Sequence, residues 1–217
     1  MTDTTRRCLH RRGFLGLAGS AAAGSIGALI GAAPAGAATV SSVAGSSVAG
    51  SGGSAARRLG FAVVSDTHAN VTVPQRHQWL VDVFASIAAR DPAFVLHCGD
   101  ITDTGLPDEY ALYAQALPAS LAGKVHYAPG NHEVRWDVSA KEVVRSHFGP
   151  APFSFDAAGI HFVGLDPTQL LQEPGHYGGA LLDWLDRDLH RVRDHLPTLL
   201  FQHHPIGDDF FYVDDQD

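Results

Sequence analysis

The chain of 217 residues contains few cysteines and relatively few basic side chains. Its two cysteines, Cys8 and Cys98, are too few to build a disulfide framework. Its 15 Lys and Arg residues are outnumbered by 23 Asp and Glu residues, and the net charge is −8. We therefore expect no nucleic-acid binding through a basic surface. The hydrophobic and charged contents, 45% and 18%, are those of an ordinary globular domain and exclude a disordered or collagen-like chain.

The sequence also lacks a solid hydrophobic run of the ~20 residues that a membrane-spanning helix needs. The mildly apolar residues 14–30 are rich in glycine, alanine and serine. They follow four arginines and precede the small residues Ala35-Gly36-Ala37, which is the layout of a secretory signal. The segment Arg11-Arg12-Gly13-Phe14-Leu15 resembles the twin-arginine signal. We therefore interpret residues 1–37 as a cleaved signal peptide of the twin-arginine type.

This interpretation predicts export to the periplasm, the cell envelope or the extracellular space. The twin-arginine translocase would be a partner during export, and no stable membrane anchor is expected. Residues 38–58 consist mostly of Ser, Gly, Ala and Val and cannot bury enough apolar surface to become ordered, so we interpret them as a flexible linker. The folded domain is then predicted over residues 59–217.

Within that domain, short apolar runs alternate with helical patterns. Strands are predicted at 59–65, 93–98, 124–128, 160–165 and 198–202, because these runs are brief and rich in Val, Ile, Leu and Phe. Apolar residues at helical spacing predict helices at 75–90 and 179–193, with shorter helices at 107–117 and 139–147. Alternating strands and helices predict a layered α/β fold in which helices flank central β-sheets.

Polar side chains follow four of the five predicted strands. They are Asp66 and His68, then Asp100 and Asp103, then Asn131, His132 and Glu133, and finally His203 and His204. Each group alone is ordinary turn chemistry. Together they predict a site at one edge of one sheet, because ligands bind at the carboxyl ends of parallel strands. A mixture of Asp, Asn and His side chains is typical of sites that bind Mn, Fe or Zn. It is not typical of a site in which thiolates hold the metal.

These blocks resemble the pattern of the calcineurin-like metallophosphoesterase family, which reads D-x-H, GD-x-x-D, GNH-[DE] and a strand-end His. The resemblance covers residues 59–205 and implies that family's layered α/β fold. The run Gly99–Gly105 and the sequence His203-His204-Pro205 resemble the branch that contains cyclic-nucleotide and glycerophosphodiester phosphodiesterases. The resemblance therefore implies a hydrolase that acts on a small phosphoester, and it favours a phosphodiester over a phosphomonoester as the substrate.

The resemblance also implies a role for each residue. Two metal ions, divalent or trivalent (Mn, Fe or Zn), would be held, the first by Asp66 and His68, the second by Asn131 and His203, with Asp100 bridging them. A hydroxide between the metals would attack phosphorus, and His132 would act at the leaving oxygen as a general acid or as a stabiliser of charge. The remaining candidates, which would orient ligands or contact substrate, are Asp103, Glu133, Arg135 and His204.

The sequence departs from the family pattern because the GH-x-H block is absent. The remaining Gly-His pair, Gly175-His176, precedes the predicted helix at 179–193. Three explanations stay open. The chain is a C-terminally incomplete piece of a longer protein; or His176, His204 or one of the late acids replaces the missing ligands; or the site has degenerated and the protein is a non-catalytic metal-binding domain. The late acids are Asp208, Asp209, Asp214 and Asp215.

Overall fold

A computed structural model describes residues 59–192 and 196–206, together with two short N-terminal strands, Phe14–Gly16 (β1) and Ser41–Ser42 (β2). Apart from these strands, the predicted signal peptide and linker lie outside the described residues, as do the four late acids. None of the helices in the described ranges has the length and apolar character needed to cross a membrane.

The domain alternates strands and helices, and the predicted α/β class is confirmed. The further strands are Ala62–Val64 (β3), Val95–His97 (β4), Val125–Tyr127 (β5), Phe153–Ala157 (β6), Ile160–Gly164 (β7) and Thr198–Phe201 (β8). The helices are Pro74–Ala88 (α1), Pro107–Ala116 (α2), Asn131–Val134 (α3), Ala140–Phe148 (α4) and Gly179–Val192 (α5), with a 3₁₀ turn at Ala119–Leu121. All five predicted strands and all four predicted helices are present, with slightly shorter or shifted ends.

The strands form two sheets, so the expectation that all four ligand-bearing strand ends lie at one edge of a single sheet was wrong. The first sheet has the order β2-β3-β4-β5, in which β3, β4 and β5 are parallel. The second has the order β1-β8-β7-β6, in which β7 and β8 are parallel and β6 and β7 form an antiparallel hairpin. The predicted strand at 198–202 therefore belongs to a different sheet from the first three predicted strands.

An aromatic core between the two sheets explains this arrangement. Phe94, directly before the inner strand β4 of the first sheet, lies 5.1 Å from Phe162 and 5.3 Å from Phe155, both in the second sheet, measured between ring centroids. Leu96 and Phe201 belong to the same buried cluster. Strands that are apolar on both faces need a cover on each side, and the second sheet covers the face that the helices leave free.

Helices cover the outer faces. Phe84 of α1 packs edge-on against Tyr113 of α2, with ring centroids 5.3 Å apart, and both belong to the core under the first sheet. Leu181, Trp184 and Leu185 of α5 pack against the second sheet. Two apolar positions of the helical patterns, Trp79 and Leu182, are exposed instead, because each lies at the margin of its helix's apolar stripe.

Within the described part of the domain, strand β6 and helix α3 were not predicted, nor was the 3₁₀ turn, and strands β1 and β2 lie in the segments interpreted as signal peptide and linker. Strand β6 reads FSFDA, an alternating pattern that favours a strand with one buried face. Helix α3 is a single turn made by Asn131, His132, Glu133 and Val134, which the sequence presents as turn chemistry.

A buried polar network ties α5 to the β6–β7 hairpin. The ring nitrogens of His161 lie 2.6 Å from an Asp156 oxygen and 2.9 Å from an Asp188 oxygen. Ser154 also donates to Asp188, at 2.8 Å, as does Arg191. Burial opposes the charge of Asp188, but the hydrogen bonds from His161, Ser154 and Arg191 lower its pKa below the usual value.

We expect Asp188→Asn to lower the free energy of unfolding by about 3 kcal/mol, because it removes a buried carboxylate that His161, Ser154 and Arg191 all contact. A carboxyl with a lowered folded-state pKa stabilises above its unfolded pKa and loses that effect as the pH falls through the folded value. The difference from wild type should therefore be full at neutral pH and shrink in acid. The measurement is urea unfolding at several pH values, with the exposed Asp183→Asn on the same helix as control. Equal midpoints for wild type and Asp188→Asn at pH 7 would contradict the stabilising role.

Candidate metal centre

The loops after β3 and β4 run side by side beyond the strands. The backbone N–H groups of Asp66 and His68 donate to the carbonyls of Gly99 and Asp100, each at 3.0 Å. This continued ladder places the side chains of Asp66, His68 and Asp100 next to one another. All three residues have positive φ angles, 56°, 41° and 52°. Such a conformation costs about 1–3 kcal/mol per non-glycine residue, and its clustering is typical of functional sites.

Two glycines let three loops approach closely. A Cβ atom at Gly99 would lie 2.7 Å from Cβ of His203 and 2.8 Å from the backbone nitrogen of Gly130. A Cβ atom at Gly130 would overlap the carboxylate of Asp100. The loops that follow β4, β5 and β8 therefore meet at these two positions, which need glycine because there is no space for a side chain.

Asp66, His68 and Asp100 form the first candidate metal group. Nε2 of His68 lies 3.8 Å from an oxygen of Asp66 and 3.6 Å from an oxygen of Asp100. Donor atoms about 3–4 Å apart are spaced as they are around an ion with bonds of ~2.1 Å. The Asp66 carboxylate is half exposed, whereas that of Asp100 is 5% exposed. These are the residues that the sequence assigned to the first metal.

Asp100, Asn131 and His203 form the second group. Nδ1 of His203 donates to the backbone carbonyl of Cys98 at 2.9 Å, so Nε2 carries the lone pair in a neutral ring. That Nε2 atom lies 3.1 Å from Oδ1 of Asn131 and 3.4 Å from Oδ2 of Asp100. Three acceptor atoms thus converge, an arrangement that is stable only with a proton or a cation between them. His203 reaches this point from the second sheet.

The charges of this group favour a cation between them. Burial opposes the charge of Asp100, but hydrogen bonds from His203 and His132 lower its pKa to about 2, so the carboxylate is ionised. Burial likewise favours the neutral ring of His203. The adjacent Asp100 carboxylate stabilises a proton on Nε2 of that ring, and it raises the pKa of His203 to about 9. The same negative field would attract a metal ion.

His132 and Asp103 lie beside the first group. Nδ1 of His132 donates to the backbone carbonyl of Asp103 at 2.6 Å, which leaves Nε2 free, 3.9 Å from an oxygen of Asp100. The Asp103 carboxylate accepts hydrogen bonds from Asn70 and Arg76 and lies 3.3 Å from Nδ1 of His68. His68, Asp103 and His132 could also hold an ion together. Because Asp103 is already held by Asn70 and Arg76, we interpret it as the residue that orients His68.

Glu133 is buried and faces the loop backbones. Its carboxylate accepts hydrogen bonds from the N–H groups of Asp100, Thr102 and Gly130, at 2.8–3.1 Å, and from the Thr102 hydroxyl at 3.1 Å. Burial raises the pKa of Glu133 to about 7, and the hydrogen bonds work against that rise. The residue therefore supports the loops that carry the ligands, and its carboxylate is not free for substrate.

The other candidates have partners away from the two metal groups. The guanidinium of Arg135 forms an ion pair with Glu173 and lies 4.4 Å from the ring centroid of Trp136. Nε2 of His204 lies 2.7 Å from the backbone carbonyl of Glu173. His176 is exposed, and neither it nor His204 joins the candidate metal groups among the described residues.

Asn70, Arg76 and Thr102 are parts of the site that were not predicted from the sequence. Their partners, Asp103 and Glu133, lie about 30 positions further along the chain, so no local pattern could identify them.

The chain is similar in sequence to known phosphoesterases. A model of the calcineurin-like phosphoesterase family matches residues 59–215. The chain is 30% identical over 160 residues to a probable cyclic nucleotide phosphodiesterase of Synechococcus, covering 69% of this chain and 59% of that protein. It is 28% identical over 117 residues to a probable glycerophosphodiester phosphodiesterase of Arcobacter nitrofigilis, covering 52% and 42%. The chain thus spans about half the length of these curated relatives.

One solved structure, a dimetal phosphatase from Danio rerio, has a TM-score of 0.49 and 16% identity to the chain. The match covers 68% of this chain and 70% of that one.

We expect Glu133→Gln to lower the free energy of unfolding by about 2 kcal/mol, because an amide nitrogen would face backbone N–H donors. The measurement is thermal and urea unfolding at pH 8, above the pKa of the native carboxyl. Glu142→Gln, at an exposed position on α4, is the matched control. A Glu133→Gln variant as stable as this control would show that the carboxylate does not hold the loops together.

Proposed function

The chain belongs to the calcineurin-like phosphoesterase family, and on that premise we propose that it is a metal-dependent phosphoric ester hydrolase acting on phosphodiesters. The observation that carries the proposal is the convergence of His203 Nε2 with the oxygens of Asp100 and Asn131. The preference for diesters is supported by the curated relatives, which are named as probable phosphodiesterases.

We propose two metal ions, because two donor groups share Asp100. The donors are carboxylate and amide oxygens and imidazole nitrogens, which fit manganese, iron or zinc. Bound at these positions, the ions would neutralise phosphoryl charge and lower the pKa of a coordinated water to ~7.

Protonation of the leaving group would depend on a residue of the chain itself, His132. His132 is anchored through Nδ1 to the Asp103 carbonyl and through its backbone N–H to Asp100, at 3.0 Å. Its free Nε2 can therefore hold a proton at a fixed place and give it to a leaving alkoxide oxygen. Such a general acid typically contributes ~10²–10⁴-fold to the rate.

Two alternatives follow from observations on the chain. Since His176 and His204 have other surroundings, the described residues contain no replacement for the family's GH-x-H histidines, which would leave a metal-binding domain without catalysis. The second alternative is a phosphomonoesterase of the same family.

Export through the twin-arginine translocase is proposed from the sequence of residues 1–37. The charged pair Arg11-Arg12, the weakly apolar segment after it and the Ala35-Gly36-Ala37 site support it.

We expect Asp100→Asn to lower hydrolysis of bis(p-nitrophenyl) phosphate by at least ~10³-fold, because one substitution weakens both donor groups. The full chain is dialysed and its metal content measured by elemental analysis, and we expect two ions in wild type and fewer in the variant. Circular dichroism checks folding, and Asp183→Asn is the control. Unchanged hydrolysis in Asp100→Asn would refute the assignment. Two ions bound without hydrolysis of any tested ester would favour the metal-binding domain.

We expect kcat/KM for bis(p-nitrophenyl) phosphate to exceed that for p-nitrophenyl phosphate by at least about tenfold, a difference of ~1.4 kcal/mol in transition-state stabilisation. Both substrates release the same chromophore, so the comparison isolates the second ester group. The opposite ratio would replace the diesterase with a monoesterase and leave the hydrolase in place.

A further inference from the structure

Large hydrophobic side chains remain exposed beside the candidate metal centre. Leu106, Trp136, Leu170 and Leu171, which we call the apolar rim, are between 38% and 55% exposed. The other exposed large hydrophobic side chains of the described part are Trp79 and Leu182 within helices and Val71, Val73, Val138 and Ile206 in loops. Exposed apolar side chains next to a functional site often mark a place where a ligand is bound.

Backbone contacts place the rim against α3, the helix that carries Asn131 and His132. A Cβ atom at Gly105, the residue before Leu106, would lie 3.0 Å from the backbone oxygen of Glu133. The N–H group of Leu171 donates to the carbonyl of Val134 at 3.1 Å. Trp136 follows α3 directly, four residues after His132, a span of at most ~14 Å. The backbone at Leu106, Trp136 and Leu171 therefore lies next to α3, the helix on which His132 is carried.

Trp136 is the largest side chain of the rim, and one face of its indole ring is in contact with Arg135. The guanidinium of Arg135 lies over its ring, 4.4 Å from the centroid, and is itself paired with Glu173. The backbone carbonyl of Glu173 accepts a hydrogen bond from Nε2 of His204. One face of the indole is thus covered by a cation that is already neutralised, and 53% of the residue remains exposed. A ring fixed in this way binds a second ring with little further loss of conformational entropy.

We propose that the substrate carries an aromatic or other large apolar ester group that stacks on Trp136 within the apolar rim. The inference rests on the proposed function, since the phosphoryl group is taken to occupy the metal centre and its ester groups must then lie over the adjacent surface. Leucine and indole side chains offer few hydrogen bonds to a polyhydroxy alcohol. Arg135 offers no unpaired charge to a second anionic group, because Glu173 already neutralises it. Trp136 is therefore a specificity-determining residue.

The test compares two phosphonates that cannot be hydrolysed at a P–O ester bond, phenylphosphonate and methylphosphonate. Their dissociation constants are measured by calorimetry on the full chain reconstituted with manganese. We expect wild type to bind phenylphosphonate about tenfold more tightly, and Trp136→Ala to bring the ratio close to one without changing methylphosphonate affinity. Trp136→Phe, which keeps a flat ring, should retain most of the preference. Trp79→Ala, a comparably exposed tryptophan on α1, should retain all of it.

The possible outcomes distinguish a failure of this inference from a failure of the proposed function. An unchanged ratio in Trp136→Ala, or equal affinities in wild type, would overturn the inference while methylphosphonate binding still supported the metal centre. Failure of wild type to bind either phosphonate would count against the proposed function, and the inference would fall with it. A wild-type dimer that Trp136→Ala converts to a monomer in sedimentation would assign the rim to a second copy of the chain and would also overturn the inference.

Discussion

The buried carboxylate of Glu133 joins the loops that follow two neighbouring strands, and the geometry of the candidate metal centre depends on that connection. A carboxylate that is 2% exposed is costly unless its oxygens are hydrogen-bonded, and here four donors from Asp100, Thr102 and Gly130 surround it. The same bonds hold Asp100 in its left-handed conformation. The strain at Asp66, His68 and Asp100 persists because the surrounding loops fix it in this way.

The metal centre also depends on the packing of two sheets. Asp66, His68, Asp100 and Asn131 follow strands of the first sheet, whereas His203 follows β8 of the second. The hydrogen bond from His203 to the Cys98 carbonyl and the close approach at Gly99 connect the two. A cation bound by Asp100 and His203 would therefore stabilise the contact between the sheets, so that metal binding and folding are coupled.

Polar and apolar surfaces are divided around α3. Toward the strands lie carboxylates, imidazoles and an amide, which suit metal ions and a phosphoryl group. The exposed indole of Trp136 lies beyond α3, in contact with Arg135, which is paired with Glu173. Lys141 of α4 binds the carboxylate of Asp166 at 2.6–2.7 Å and the Thr168 carbonyl at 3.0 Å, which fixes the loop after β7 against α4. A rigid loop beside a rigid site is what selective recognition of an ester group requires.

The sequence by itself determined five of the strands, four of the helices and the residues that the structure brings together. Short apolar runs followed by Asp, Asn or His identified the strands and Asp66, His68, Asp100, Asn131 and His203, because local hydrophobic pattern and turn chemistry are written in consecutive residues. Tertiary structure alone decided that β8 belongs to a second sheet, since strand pairing joins residues far apart in the chain. It also turned Glu133 toward backbone N–H groups, His204 toward the carbonyl of Glu173 and Arg135 toward the carboxylate of Glu173. Those orientations follow from which loops meet in space, and a side chain's partner across 30 or more residues leaves no local signal.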